Sequence, residues 1–205
     1  MGSDPKVAVL ISGRGSNLQA LIDAERHGQL GGRIAVVLSN RDDAAGLTRA
    51  QDAGIPTRVL NHKDYADRAA FERALVDVLR TFDVRLVCLA GFMRLLGPTF
   101  LDAFPNAILN IHPSLLPAFP GTDGARQAWA HGVKVAGATV HLVTGELDGG
   151  PIVRQAAVPV HDDDTADTLA ARILIEEHRI YAEAVRDVLS GEWTIDGRRF
   201  LRRGR

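Results

Sequence analysis

Residues 7–22 read VAVLISGRGSNLQALI, and this stretch decides the fold. A continuous apolar run, typical of a strand buried on both faces, leads through a glycine-rich turn into a segment with Leu18, Leu21 and Ile22 on one helical face. A strand, a tight turn and a helix in this order are the start of a βαβ unit, in which helices join parallel strands. We therefore predict a parallel α/β layer built outward from this stretch.

The same alternation continues through the first half of the chain. Further apolar runs, separated by helical patterns, read RIAVVLSN, TRVLN, VRLVCLAGF and AILNIHPS. The second half changes rhythm: VAGATVHLV and GPIVRQAAVPV flank a glycine-rich turn as an antiparallel pair, and a long helix follows from about Thr165 to Leu189. We predict an α/β fold with a doubly wound, mostly parallel twisted sheet and helices on both faces. The prediction is a single domain, 1–205, with lobes at about 1–104 and 105–205.

Composition narrows the class of protein and its partners. The chain has 205 residues and a net charge of -1, which gives no reason to expect nucleic acid or an anionic membrane as a partner. Its one cysteine, Cys88, lies in an apolar run and rules out an intramolecular disulfide framework. The apolar run near the N-terminus is too short for a membrane span or a signal peptide. We expect a cytoplasmic globular protein without a membrane partner.

The glycine-rich turn is a candidate phosphate site. Gly13 and Gly15 permit a tight backbone, and Ser16 and Asn17 suit a helix N-terminus, which attracts anions. The alternative is an ordinary strand-to-helix turn. A dinucleotide is disfavoured because Leu18 stands where a third glycine is expected, and the second strand ends in LSN without an acidic residue. A phosphomonoester is the more economical ligand.

Asn110 and His112 lie two residues apart at the end of a predicted strand, so they project from the same face. Ligands of open α/β sheets bind at the carboxyl ends of strands, and three prolines, Pro113, Pro117 and Pro120, restrict the chain just beyond. An amide and an imidazole there can polarise a carbonyl and move a proton. The alternative is a structural histidine.

Asp148, in the segment GELDGGP, is the candidate partner carboxylate, although Asp-Gly is also common in ordinary turns. His141 precedes it on a strand expected nearby, which leaves a metal triad of His112, His141 and Asp148 as a minor alternative. No serine or cysteine occupies a nucleophile elbow, so we expect no acyl-enzyme. The three candidate metal ligands are not closely spaced in the sequence, so we expect no metal. Glu177 falls inside the apolar stripe of the long helix and therefore needs hydrogen-bond donors: ligand hydroxyls, an arginine or backbone amides.

Taken together, these residues resemble the glycinamide ribonucleotide formyltransferase family of purine biosynthesis. The resemblance rests on ISGRGSNLQALI, LAGFMRLL, LNIHPSLLPAFPG, GATVHLV and LDGGPIVRQAAVPV, which cover most of the chain in the right order. It implies the formyltransferase fold and a one-carbon transferase. Its substrates would be 10-formyltetrahydrofolate as the formyl donor and the amine of 5-phosphoribosylglycinamide as the acceptor, with no metal and no covalent intermediate. The protein would be a monomer or a homodimer.

The resemblance also implies roles for individual residues. The ribonucleotide phosphate would be held by Gly15, Ser16 and Asn17, and the ribose hydroxyls by Glu177. The folate pocket would be lined by Met93, Arg94, Leu95 and Leu96, with Asn110 touching the folate and Arg68 approaching its glutamate tail. The catalytic residues would be Asn110, His112 and Asp148: the first two stabilise an oxyanion, and Asp148 tunes His112 and helps to move protons.

Three positions depart from the family pattern, and several rival functions share parts of it. Asp123 and Ala125 replace histidine or asparagine side chains in the loop at 121–126, and Leu174 stands where many relatives have Lys or Gln. The rivals are methionyl-tRNA formyltransferase, which has a further tRNA-binding domain, and formyltetrahydrofolate hydrolase, which has a further N-terminal domain. A non-catalytic nucleotide-binding module and a metal-dependent hydrolase are the others.

Overall fold

The structure is a computed structural model in which residues 4–203 are described, and its strands and helices alternate for most of the chain. The strands are β1 (Lys6–Ile11), β2 (Arg33–Ser39), β3 (Thr57–Val59), β4 (Leu86–Leu89), β5 (Ile108–His112), β6 (Val135–Leu142), β7 (Ile152–Pro159), β8 (Trp193–Asp196) and β9 (Arg199–Arg202). The helices are α1 (Ser16–Arg26), α2 (Gly46–Asp52), α3 (Arg68–Thr81), α4 (Pro98–Leu101), α5 (Gly124–His131) and α6 (Ala166–Ser190), with a 3₁₀ helix at His62–Asp64. The chain divides into two compact units between Leu109 and Asn110.

The first unit contains a parallel sheet. Its strands lie in the order β3-β2-β1-β4, and every neighbouring pair is parallel. β1 is central and Val7 to Ile11 are fully buried, which explains why this strand is a continuous apolar run instead of an alternating one. Leu18, Leu21 and Ile22 of α1 are buried as well, as the helical spacing predicts.

The second unit is mixed. β6 pairs antiparallel with β7, β7 pairs parallel with β9, and β9 pairs antiparallel with β8. α6 begins with a capping box, in which the Thr165 side chain accepts from the Thr168 amide and the Thr168 side chain accepts from the Thr165 amide. It ends at Gly191, which has the positive φ of 71° that favours glycine.

The structure differs from the sequence prediction at one helix. Residues 121–126 were expected to be a loop, whereas α5 begins at Gly124 and buries Ala125 and Ala128. The glycines and the short length of the segment hide its helical spacing. The lobe boundary at about residue 104 stays a prediction, and the compact units divide five residues further along. Across residues 4–203, no helix combines the length and the apolarity that crossing a membrane would require.

A buried carboxylate secures the start of α6. The Asp164 side chain is 3% exposed, and its carboxylate pairs with both terminal nitrogens of Arg172, at 2.6 and 2.8 Å. It also accepts from the His161 amide at 2.7 Å and from the Thr168 hydroxyl at 2.8 Å. The hydrogen bond with Arg172 is the main cause that holds the pKa of Asp164 far below its ordinary value.

Asp164→Asn should lower the melting temperature at neutral pH and flatten its acid dependence. A carboxyl whose pKa is depressed by folding stabilises the protein above its unfolded pKa of about 4, and that stabilisation is lost as pH falls towards the folded pKa. Thermal unfolding between pH 7 and pH 2.5 measures this. Asp162→Asn is the matched control, because that carboxylate is 93% exposed. Identical pH profiles for Asp164→Asn and the parent protein would contradict the assignment.

Candidate active site

The phosphate loop follows β1 and is shaped by two glycines in close contact. Gly15 has a φ of 73° and precedes α1, and a Cβ atom on it would lie 2.6 Å from the Gly46 Cα. The Gly46 amide donates to the Gly13 carbonyl at 3.0 Å. Ser16 and Asn17 form the first turn of α1, where helix N–H groups point outward and favour an anion. This geometry suits a phosphate group.

The segment at 93–97 carries the residues that the resemblance assigns to the folate. Met93 and Leu95 are 71% and 67% exposed, an unusual exposure for large apolar side chains. The structure brings Arg68 to this segment, since a Cβ atom on Gly97 would lie 2.8 Å from the Arg68 Nη2. The exposed apolar side chains and the guanidinium therefore belong to one surface of the first unit.

In the second unit, His112 ends β5 and is 4% exposed. Its Nε2 lies 2.8 Å from the Phe119 carbonyl oxygen, which can only accept, so Nε2 carries the proton. The Nδ1 atom then faces the Asp148 carboxylate, with 3.5 Å between Nδ1 and Oδ2. The His112 ring is therefore held between the Phe119 carbonyl on one side and the Asp148 carboxylate on the other.

Asp148 occupies a strained backbone position. Its φ is 50°, and the Gly121 amide donates to its Oδ2 at 2.7 Å. A Cβ atom on Gly150 would lie 1.7 Å from the Leu142 carbonyl oxygen, so only glycine allows the loop to approach β6 so closely. The loop thereby holds the Asp148 carboxylate next to the His112 and His141 rings.

His141 is the fourth member of the cluster. Its Nδ1 donates to the Leu142 carbonyl at 3.0 Å, which leaves Nε2 to accept from the Asn110 side-chain amide at 3.2 Å. The same Nε2 lies 3.5 Å from the Asp148 Oδ1. The sequence placed His141 near the site and gave it a role only as a minor metal ligand. Its position on β6 was the available signal. That it contacts Asn110 could not be predicted, because the two residues meet only in the tertiary structure.

The Asp148 carboxyl stays ionised despite its burial. Burial alone would raise the pKa of Asp148, but the neighbouring imidazoles of His141 and His112 and the hydrogen bond from the Gly121 amide outweigh it and lower the pKa below its usual range. An ionised carboxylate next to an imidazole stabilises the imidazolium. The cluster can therefore present an amide donor, an imidazole ring and a proton acceptor to one carbonyl group.

The proline-rich segment beyond β5 is held by side chains that the sequence analysis did not single out. The Thr139 hydroxyl donates to the Ser114 carbonyl at 2.6 Å and accepts from the Leu116 amide at 3.0 Å. Ser114 in turn donates to the Ala118 carbonyl at 2.6 Å. These hydroxyls help to fix the segment that carries the Phe119 carbonyl. A threonine inside an apolar strand was the available signal.

The remaining predicted residues lie as follows. Glu177 is buried in α6, 6% exposed, as its place in the apolar stripe predicts. Asp123 is exposed with a φ of 57° just before α5, and Leu174 is half-buried in α6. Among residues 4–203, His, Cys, Asp and Glu form no group of three or more arranged to hold a metal ion.

Comparison with known proteins identifies the family. Residues 5–185 match the family described as formyl transferase, and the chain belongs to that family. Phosphoribosylglycinamide formyltransferase of Escherichia coli (strain K12) is 45% identical over 192 residues, which are 94% of this chain and 88% of the relative. The crystal structure of glycinamide ribonucleotide transformylase 1 from Symbiobacterium toebii superposes with a TM-score of 0.97 at 54% identity, covering 100% of this chain and 96% of that one.

A longer relative shares the same region. The trifunctional purine biosynthetic protein adenosine-3 of Bos taurus is 50% identical over 186 residues, which are 91% of this chain but only 18% of the relative's length. The chain thus spans less than a fifth of that protein. The family resemblance and the α/β formyltransferase fold with a mostly parallel sheet are confirmed, whereas the roles of individual residues stay predictions.

Proposed function

We propose that the protein is a phosphoribosylglycinamide formyltransferase of de novo purine biosynthesis. It transfers the formyl group of 10-formyltetrahydrofolate to the amine of 5-phosphoribosylglycinamide and releases tetrahydrofolate and the N-formyl ribonucleotide. The cluster of Asn110, His112 and Asp148 is the observation that carries this proposal, because it offers oxyanion donors beside an ionised carboxylate. The similarity to the full-length enzyme of Escherichia coli supports it.

The substrates are bound by residues of the predicted sets. Gly15, Ser16 and Asn17 hold the ribonucleotide phosphate at the start of α1, and Glu177 accepts hydrogen bonds from the ribose hydroxyls. The folate lies against Met93, Arg94, Leu95 and Leu96 and also contacts Asn110, while Arg68 attracts its glutamate carboxylates. These ligands are small molecules, and the protein works in the cytoplasm as a monomer or a homodimer without a nucleic-acid or membrane partner.

The reaction is a direct attack of the amine nitrogen on the formyl carbon. A new C–N bond forms, the formyl oxygen becomes an oxyanion, the side-chain amide of Asn110 donates to it, and the positive charge of the His112 imidazolium stabilises it. Asp148 stabilises the imidazolium and accepts the proton that the amine loses, through water. Collapse of the oxyanion breaks the bond to the folate nitrogen, which takes up the proton that Asp148 received and returns through water. No enzyme nucleophile and no metal enters this scheme.

A formyl-transfer assay tests the proposal. Purified protein is mixed with 10-formyltetrahydrofolate and 5-phosphoribosylglycinamide, with and without EDTA, and the formylated ribonucleotide is quantified by mass spectrometry. We expect turnover that depends on the ribonucleotide and is unaffected by EDTA. Deformylation of the folate without an acceptor would identify a hydrolase instead, and loss of turnover in EDTA would identify a metal-dependent enzyme.

Glu177→Gln should weaken ribonucleotide binding. Hydrogen bonds to a charged group contribute about 1.5–3 kcal/mol, so the KM for the ribonucleotide should rise roughly 10–100-fold while the KM for the folate changes little. Glu176→Gln is the matched control, since Glu176 pairs with the exposed Arg179 on the same helix. An unchanged KM in Glu177→Gln would assign this carboxylate a structural role.

A further inference from the structure

The backbone of the segment at 93–97 is held at both ends, although the segment has no regular secondary structure. It contains neither helix nor strand, and Met93 and Leu95 point most of their surface to solvent. Apolar packing therefore cannot hold its backbone in one conformation. If this segment binds the folate, as the proposed function assigns, its conformation must be held by other contacts.

Ser12 holds one end of the segment. Its hydroxyl accepts from the Met93 amide at 2.8 Å and donates to the Asn40 Oδ1 at 2.5 Å. Ser12 and Asn40 are 5% and 4% exposed, and the Asn40 Nδ2 lies 3.4 Å from the His62 Nδ1. A buried hydroxyl that accepts on one side and donates on the other has a single orientation, so it fixes the Met93 amide.

Glu72 holds the other end. Its carboxylate is buried, 1% exposed, and accepts from the Gly97 amide at 2.6 Å. The Arg68 Nε lies 3.6 Å from the same carboxylate. Two buried polar side chains, one just after β1 and one in α3, therefore hold an exposed, irregular segment at its two ends. This pattern resembles the support that a binding segment needs to be preorganised.

Ser12 also belongs to the phosphate loop, because it directly precedes Gly13. The alternative is that the Ser12 hydroxyl has a purely structural role. Ser39, at the end of the neighbouring strand β2, is an example of a serine in such a role. Ser39 is 1% exposed, and within residues 4–203 its hydroxyl bonds to the backbone of Arg41, two residues away. The Ser12 hydroxyl instead reaches Met93, 81 residues along the chain.

We propose that Ser12, supported by Asn40, is a positioning residue that sets the folate-binding segment and joins it to the phosphate loop. This inference rests on the proposed function and adds two points to it. The Met93 N–H already donates to Ser12, so the backbone N–H groups that this segment offers to the folate come from residues 94–96. Ser12 acts only through the segment and touches neither substrate.

Ser12→Ala tests the inference through the ratio of the two KM values. The KM for 10-formyltetrahydrofolate should rise about tenfold, the typical effect of losing a buried hydrogen bond with its partner left in place. The KM for the ribonucleotide should change much less, because the contact of Gly46 with Gly13 and Gly15 holds the phosphate loop independently. Asn40→Ala should give a smaller rise in the same direction, and Ser39→Ala should leave both KM values unchanged.

The outcomes separate the two proposals. An unchanged KM for the folate in Ser12→Ala overturns the inference. It is also overturned if both KM values rise equally and Ser12→Ala loses the same thermal stability as Ser39→Ala. If Ser12→Ala is insoluble, Asn40→Ala is judged by the same criteria. An inactive parent protein would instead overturn the proposed function, and calorimetric titration of the variants with 10-formyltetrahydrofolate would then decide the inference directly.

Discussion

Asp148→Asn should lower kcat by about 10²–10⁴-fold, the usual contribution of a general acid–base group. The amide cannot stabilise the His112 imidazolium or accept the proton of the attacking amine. The fold should survive, because asparagine tolerates the φ of 50° at this position better than most residues. Steady-state kinetics with both substrates measures the effect, and the affinity for the ribonucleotide should remain near that of the parent.

Asp83→Asn is the control for this prediction. Asp83 also has a positive φ, of 55°, but its side chain is 93% exposed and pairs with Lys6 at 3.7 Å, away from the candidate site. The control should retain full kcat. A kcat for Asp148→Asn within a factor of a few of the parent value would remove Asp148 from the mechanism.

Asn110→Ala should lower kcat by about 10²–10³-fold, as the removal of one oxyanion donor does in other enzymes. The loss follows from the geometry, because the Asn110 amide is held by the His141 Nε2 at 3.2 Å and is thereby aimed before the substrate arrives. The alanine side chain fits the strand and leaves a small cavity. Single-turnover rates at saturating concentrations of both substrates isolate this step from binding.

Asn61→Ala is the control for the loss of an amide, because Asn61 only caps the 3₁₀ helix, where its Oδ1 accepts from the Lys63 amide at 3.1 Å. It should transfer the formyl group at the parent rate. Equal rates for Asn110→Ala and the parent would show that the oxyanion is stabilised by other groups.

Local patterns predict most of the architecture. The apolar run of β1, the helical spacing of α1 and the capping signals of α6 each depend on a few neighbouring residues, and each element lies close to where the sequence places it. α5 was missed because it is short and begins in a glycine-containing turn. Its helical spacing is visible only once the burial of Ala125 and Ala128 is known.

The candidate site is less accessible from sequence because its contacts join distant segments. Asn110 and His112 could be singled out from their shared face on one strand. Their partners could not: His141 orients Asn110 from another strand, and the Phe119 carbonyl that sets the proton position of His112 comes from a loop. Ser12 and Thr139 cannot be distinguished from ordinary strand residues by sequence, because their hydrogen-bond partners lie far away in the chain.

The central claim is that the formyl group passes directly from the folate to the amine. Excess protein is mixed with 10-formyltetrahydrofolate labelled in the formyl carbon and with 5-phosphoribosylglycinamide, and label is followed through a single turnover in the ribonucleotide, in formate and in the protein. The account predicts that label in the ribonucleotide equals folate consumed at every time point. Label that appears in formate, or that accumulates on the protein before it reaches the ribonucleotide, would contradict it.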